Sequence, residues 1–206
     1  APNALLYDYP VFAQRADSET LLTVLTHILE QKHFGDTPLD VLSNSYSYDQ
    51  APGDLGRNRH HEVINFDHPV NEKFREIVHS DCIVVFSAGN CGDVGALGNC
   101  SPNGIGSGKS IHGPNSLPEV ITVGAADIHR QRLGYSSQGP GWFEELKPDF
   151  LAYSRYHGNY GPGRPGFSEF GTHLDEGTSA AAPLLVGLVA MLMSESLFSL
   201  KPNDVY

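Results

Sequence analysis

The spacing of apolar and polar residues along the chain predicts alternating helices and strands. Leu21, Leu22, Leu25, Ile28 and Leu29 recur at helical intervals, which predicts an amphipathic helix over 19–33, capped by Ser18 and stopped by Gly35. Val41 to Asn44 reads as a strand. Residues 49–67 are polar, with Pro52-Gly53 and the run Arg57 to His61, and read as a long surface loop. Asp67 is the expected cap of a second helix over 68–80 that turns Val70, Phe74, Ile77 and Val78 inward. Apolar runs predict strands at 82–88 and 119–125, separated by a loop rich in Gly and Asn. A bent or hairpin-like segment over 132–151 and a loop-rich stretch over 154–176 follow. The run Leu184, Leu185, Val186, Leu188, Val189, Met191 and Leu192 predicts a buried helix over 178–195. This alternation implies an α/β fold: a mostly parallel sheet flanked by helices on both faces. Sites in open sheets of this kind lie outside the C-terminal ends of the strands, where Ser45, Asn90 and Ser179 are expected.

Two stretches carry chemistry. In Gly177-Thr178-Ser179-Ala180-Ala181-Ala182-Pro183 a loop enters a helix at a serine. A helix N-terminus offers unpaired N–H groups and a partial positive charge, so Ser179 is placed to attack a carbonyl while its own N–H faces the oxyanion. Taken alone, the stretch reads more readily as a capping serine on a core helix. The second stretch, Ile83 to Phe86, runs into Ser87-Ala88-Gly89-Asn90-Cys91-Gly92, where small residues and one amide make a narrow wall with a hydrogen-bond donor.

At these residues the chain resembles the subtilisin-like serine proteases, the subtilase family. Further landmarks follow the family order: Asp40 to Ser47, Ser116 to Ala125, Tyr135 to Pro140 and Lys147 to Ala152. The resemblance implies that Ser179 is the nucleophile of peptide-bond hydrolysis and that Asn90 and the Ser179 N–H hold the oxyanion. It implies that Ser45, Tyr46 and Ser47 pair with an extended substrate and that Ser87, Ala88 and Gly89 line the first specificity pocket. Ser47 stands where the family usually has glycine, and its Cβ narrows the groove. The family order is Asp, His, Ser, yet neither an Asp-(Ser/Thr)-Gly turn nor a His-Gly-Thr segment occurs upstream of Asn90, and Ala1 to Tyr7 resembles the segment just after the histidine. The expectation is therefore a single catalytic domain over 1–206 without the N-terminal portion bearing Asp and His, inactive or weak by itself, completed by that segment or by a second chain. The competing expectation is a catalytically dead peptide-binding module. Subtilase resemblance also favours a secreted or periplasmic protein acting on peptides or proteins. It requires no cofactor and admits a structural calcium ion, for which no loop nominates ligands.

Composition narrows the field further. The 206 residues carry a formal net charge of -11, which disfavours nucleic acid. No stretch is long and apolar enough to span a bilayer, so no membrane partner is expected. Cys82, Cys91 and Cys100 leave two readings open, a Cys91–Cys100 disulfide or three free thiols, and their spacing makes no zinc site. The sequon at Asn99-Cys100-Ser101 is read as chance. Asn103 to Ser110 imitates a phosphate-binding loop, but Asn103 replaces its first glycine and Gly113-Pro114 forbids the helix that should follow. His173, with Asp175 and Glu176 nearby, precedes Ser179 by six residues. A local dyad there requires a tight turn, because six extended residues span about 20 Å. His60, His61 and His157 are read as solvated loop residues with no metal site.

Overall fold

The computed structural model describes residues 4–11, 17–34, 39–48, 51–157 and 174–194. Four strands, β1 (Val41–Asn44), β2 (Ile83–Ser87), β3 (Ile121–Ala126) and β4 (Phe150–Tyr153), form one sheet in the order β1-β2-β3-β4 with every pair parallel. Helices α1 (Ser18–Phe34) and α2 (Pro69–His79) cover one face, and α3 (Thr178–Ser194) covers the other. The expected α/β architecture is present. Among the described residues no helix is long and apolar enough to cross a membrane.

Period-two alternation along the central strands feeds two cores. Val84 and Phe86 point toward α1 and α2, where they join Leu21, Leu25, Ile28, Val70, Phe74 and Ile77. The Phe74 and Phe86 rings meet edge-on with centroids 4.9 Å apart. Ile83 and Val85 point the other way, with Ile121, Val123 and Ala125, against Ala181, Ala182 and Val189 of α3. The run of small residues at the start of α3 lets its backbone lie close on the sheet. That close approach fixes where Ser179 sits.

Several local expectations are corrected. α1 begins at Ser18, and its cap is Asp17, whose Oδ1 accepts from Thr20 N at 2.9 Å. Ser18 instead donates to the buried Glu62 Oε1 at 2.8 Å, tying α1 to the 51–68 segment. His68, not Asp67, caps α2: its Nδ1 accepts from Val70 N at 3.2 Å and Pro69 follows at the first helical position, where a missing N–H costs nothing. Asp67 reaches sideways to Arg75. The 49–67 stretch is not wholly a surface loop, for it contains a 3-10 turn (Pro52–Asp54) and buries Ala51, Leu55, Glu62 and Val63. The bent segment over 132–151 ends in β4, which pairs parallel to β3. Lys147 Nζ donates to Val120 O at 2.6 Å and to Asp149 Oδ2 at 2.8 Å, and Asp149 Oδ2 accepts from Thr122 N at 2.7 Å, so this trio sets the register of the edge strand. Nor is α3 buried throughout: Leu184, Leu188, Met191 and Leu192 are 42–52% exposed. Gly35 and His173 lie outside the described residues.

His112 precedes a 3-10 turn (Gly113–Ser116) and is buried, with Nδ1 lacking a hydrogen-bond partner. Burial pushes its imidazole down from the usual 6.5 to about 4, with His61 lowering and Asp54 raising it as lesser influences. The unfolded chain takes up this proton from about pH 6.5 downward, the folded chain only near pH 4. Stability from this group is therefore intact above pH 6.5 and declines as the pH drops toward 4. Denaturant unfolding should show wild type losing about 3 kcal/mol more than His112→Gln across that interval. Parallel profiles for the two proteins would contradict a buried neutral imidazole.

Candidate active site

Each proposed site residue lies where a strand ends or where α3 begins. Ser45 follows β1 directly, Gly89 and Asn90 follow β2, and Ser179 is the second residue of α3. Ser179 is thus on a helix facing the strand ends and not itself at one. Its approach is set by Gly177, whose φ of +86° is costly for a residue with a side chain. A Cβ on Gly177 would also lie 3.2 Å from Asn90 Nδ2.

Asn90 and the start of α3 are directly bonded. The Asn90 Oδ1 accepts from Thr178 N at 2.8 Å and from Thr178 Oγ1 at 3.0 Å. Thr178 Oγ1 in turn accepts from Gly89 N at 3.1 Å. A helix N-terminus needs outside acceptors for its first N–H groups, and Asn90 supplies one from 88 residues away. With Oδ1 so engaged, the amide nitrogen is the end of the carboxamide left to donate into the cleft. The neighbouring Ser179 N–H, in the same first turn, belongs to the unpaired set at the positive end of the helix dipole. The strand end at Asn90 and the first turn of α3, which bears Ser179, are thus joined directly.

Ser45 and Ser179 bond reciprocally. Ser179 Oγ donates to Ser45 O at 2.9 Å, and Ser45 Oγ donates to Ser179 O at 3.2 Å. The second bond has a cause in the sequence. Pro183 sits inside α3, four residues after Ser179, and has no N–H for the Ser179 carbonyl. Ser45 satisfies the acceptor that Pro183 leaves open.

The residues expected from the sequence to bind substrate lie beside this point. Tyr46 O accepts from Ser87 Oγ at 3.2 Å and from Asn115 Nδ2 at 3.1 Å, and Asn115 Nδ2 also reaches Ser87 O at 2.6 Å. The segments Ser45–Ser47 and Ser87–Gly89 therefore run side by side, with buried Ala88 between Ser87 and Gly89. Cys91 and Cys100 form a disulfide directly after Asn90, which decides between the two cysteine readings, while Cys82 is a buried free thiol that burial raises to about 12.

Sequence reasoning did not single out the groups that hold the helix start from the far side. Tyr135 hydroxyl donates to Ser154 Oγ at 2.8 Å and accepts from Gly177 N at 3.2 Å, and Ser154 Oγ donates to Gly177 O at 2.9 Å. Tyr156 hydroxyl donates to Ala180 O at 2.8 Å. The available signal was the Tyr135-Ser136-Ser137 landmark, which marked a position in the chain without naming its partner. Asp175 and Glu176 point elsewhere: Asp175 pairs its backbone with Arg155 and Tyr156, and Glu176 lies 3.6 Å from Arg155 Nε. No group of three or more His, Cys, Asp or Glu residues suited to a metal occurs among the described residues.

Comparison with known proteins places the chain in a family. The chain is 31% identical over 185 residues to Bacillopeptidase F of Bacillus subtilis (strain 168), covering 83% of this chain and 12% of that protein. It is 31% identical over 135 residues to the human membrane-bound transcription factor site-1 protease, covering 62% of this chain and 11% of that protein. It therefore spans only a small part of the length of these curated relatives. The solved structure of Sphericase superposes with a TM-score of 0.62 at 18% identity, over 92% of this chain and 53% of that one, which shows a shared fold. The family model described as the subtilase family matches residues 1–205, and with the serine-bearing helix docked on the strand-end asparagine, the chain belongs to the subtilase family.

Proposed function

We propose that Ser179 is the nucleophile of a serine endopeptidase and that Asn90 Nδ2 and the Ser179 N–H stabilise the oxyanion. The observation that carries this reading is the Asn90–Thr178 bond pair, which engages the amide oxygen and leaves the amide nitrogen as the donor end of a carboxamide held against the residue before Ser179. In the reaction a base removes the Oγ proton, Oγ bonds to the scissile carbonyl carbon, and the carbonyl oxygen takes the negative charge between the two donors. Collapse breaks the C–N bond, the amine leaves with a proton from the base, and water then hydrolyses the ester.

Among the described residues, the Ser179 hydroxyl is bonded to the Ser45 carbonyl, an acceptor too weakly basic to take its proton. Neither of the family's motifs for the base and its carboxylate occurs upstream of Asn90, so both are assigned to a segment other than these 206 residues, joined to them or in a second polypeptide. Peptide pairs as an added strand with Ser45 and Ser47. Tyr46, between them, has its carbonyl committed to Ser87 and Asn115, and backbone groups alternate in direction along an extended chain. The Cys91–Cys100 bridge supports a location outside the reducing cytoplasm.

A fluorophosphonate probe tests the assignment. The 206-residue chain alone should stay unlabelled, the chain completed by a segment or second polypeptide supplying the histidine and aspartate should label, and Ser179→Ala should abolish the label. Strong labelling of the short chain would overturn the placement of the base elsewhere; no labelling of either form would favour a peptide-binding module and overturn the protease reading.

In the labelled form, Asn90→Ala should lower kcat roughly 10²–10³-fold with little change in KM, the cost typical of one lost oxyanion donor. A loss confined to KM would remove Asn90 from that role. Thr178→Val should also lower kcat, because it frees one of the two restraints on the Asn90 carboxamide. It should reduce stability by about 1–3 kcal/mol as well, since the buried Gly89 N–H loses its acceptor. Retention of full kcat by Thr178→Val would show that the Asn90 orientation does not depend on this hydroxyl.

A further inference from the structure

We propose that Ser47 is a specificity-determining residue that closes the crevice beside Ser179, so that only glycine or alanine fits at the substrate residue supplying the scissile carbonyl. The inference rests on the protease reading of Ser179. Parallel strands separate at their C-terminal ends, and the crevice between the departing chains is where a ligand side chain enters. Here the departing chains are Ser45–Ser47 from β1 and Ser87–Gly89 from β2, and both touch the start of α3, through Ser45 and Gly89. A carbonyl carbon at Ser179 Oγ, its oxygen held by Asn90, places the adjoining side chain against this crevice.

The crevice is shut at two depths. Below, the Asn115 carboxamide bridges Tyr46 O and Ser87 O, and Ser87 Oγ adds a further bond to Tyr46 O. Above, Ser47 faces Gly89 directly: a Cβ built on Gly89 would lie 3.2 Å from Ser47 Oγ, 3.3 Å from Ser47 Cβ and 2.9 Å from Ser137 Oγ. With a Cα–Cβ bond of about 1.5 Å, Ser47 Cβ is within about 5 Å of Gly89 Cα. A flat ring or branched chain between two walls needs contact distance on both sides, roughly 7–8 Å in all. Only a hydrogen or a methyl group meets the walls without displacing them. Ser137 cannot give way freely, because its Oγ accepts from Cys91 N at 3.1 Å. The Ser47 hydroxymethyl is therefore the obstruction a single change can remove.

The experiment uses the form that fluorophosphonate labels and a set of internally quenched peptides differing only at the acyl-side residue: Gly, Ala, Leu or Phe. Wild type should cleave the Gly and Ala peptides at least roughly 10²-fold faster in kcat/KM than the Phe peptide, a ratio within reach of steric exclusion in an apolar pocket. Ser47→Gly should raise the Phe/Ala ratio at least tenfold, a gain that misfolding cannot produce, and Ser47→Leu should lower the Ala/Gly ratio. Comparable cleavage of Phe and Ala peptides by wild type, or an unchanged ratio in Ser47→Gly, would overturn the inference while leaving Ser179 as nucleophile. Failure of Ser179 to take the small fluorophosphonate, which carries no peptide side chain, would remove the protease reading and this inference with it.

Discussion

The bond between the Asn90 carboxamide and the first residue of α3 is the constraint on which the site depends. It joins the end of a central strand to the start of a helix from the far end of the chain. One polar side chain meets two needs: the helix gains an acceptor for an N–H that the backbone cannot satisfy, and the carboxamide gains a fixed orientation. Either need alone would be met by water. Met together, they make helix position and donor direction a single variable, so the geometry around Ser179 is inherited from the fold and not assembled separately.

The same economy appears at Pro183. Inside a helix a proline usually weakens the structure by leaving a carbonyl without its partner. Here that carbonyl belongs to Ser179 and is taken by Ser45 from the neighbouring strand end. The apparent defect becomes a contact between the strand that would receive substrate and the residue that would attack it. Tyr135, Ser154 and Tyr156 hold the opposite side of the helix start through their hydroxyls. The first turn of α3 is thus clamped from β1, β2 and the end of β4, while its later turns leave leucines in the open.

Much of this was legible in the residues. The central strands announce themselves as short apolar runs, and Ser179 and Asn90 stand out because small residues surround a hydroxyl and an amide. What was not legible turns on competition between neighbours. Asp17 and Ser18 are both good caps, as are Asp67 and His68 in context, and the choice depends on which side chain is drawn off by a distant partner: Glu62 takes Ser18, and Arg75 takes Asp67. β4 gave no signal because an exposed edge strand keeps Phe150, Leu151 and Tyr153 about half-exposed and shows no alternation. The partial exposure of α3 was hidden because a helix apolar all round reads as buried. The order of landmarks fixed positions along the chain, but hydroxyls such as those of Thr178 and Ser154 declare their partners only in three dimensions.

The lone thiol of Cys82 and the Cys91–Cys100 bridge differ sharply in accessibility to chemistry. Cys82 is sealed beneath α2 with its ionisation suppressed, so it neither attacks nor exchanges under mild conditions. The bridge begins one residue past Asn90 and encloses the loop that follows it. A gentle reductant would consequently act only on the sulfurs next to the carboxamide, giving a chemical handle on the loop that follows Asn90 without altering any amino acid.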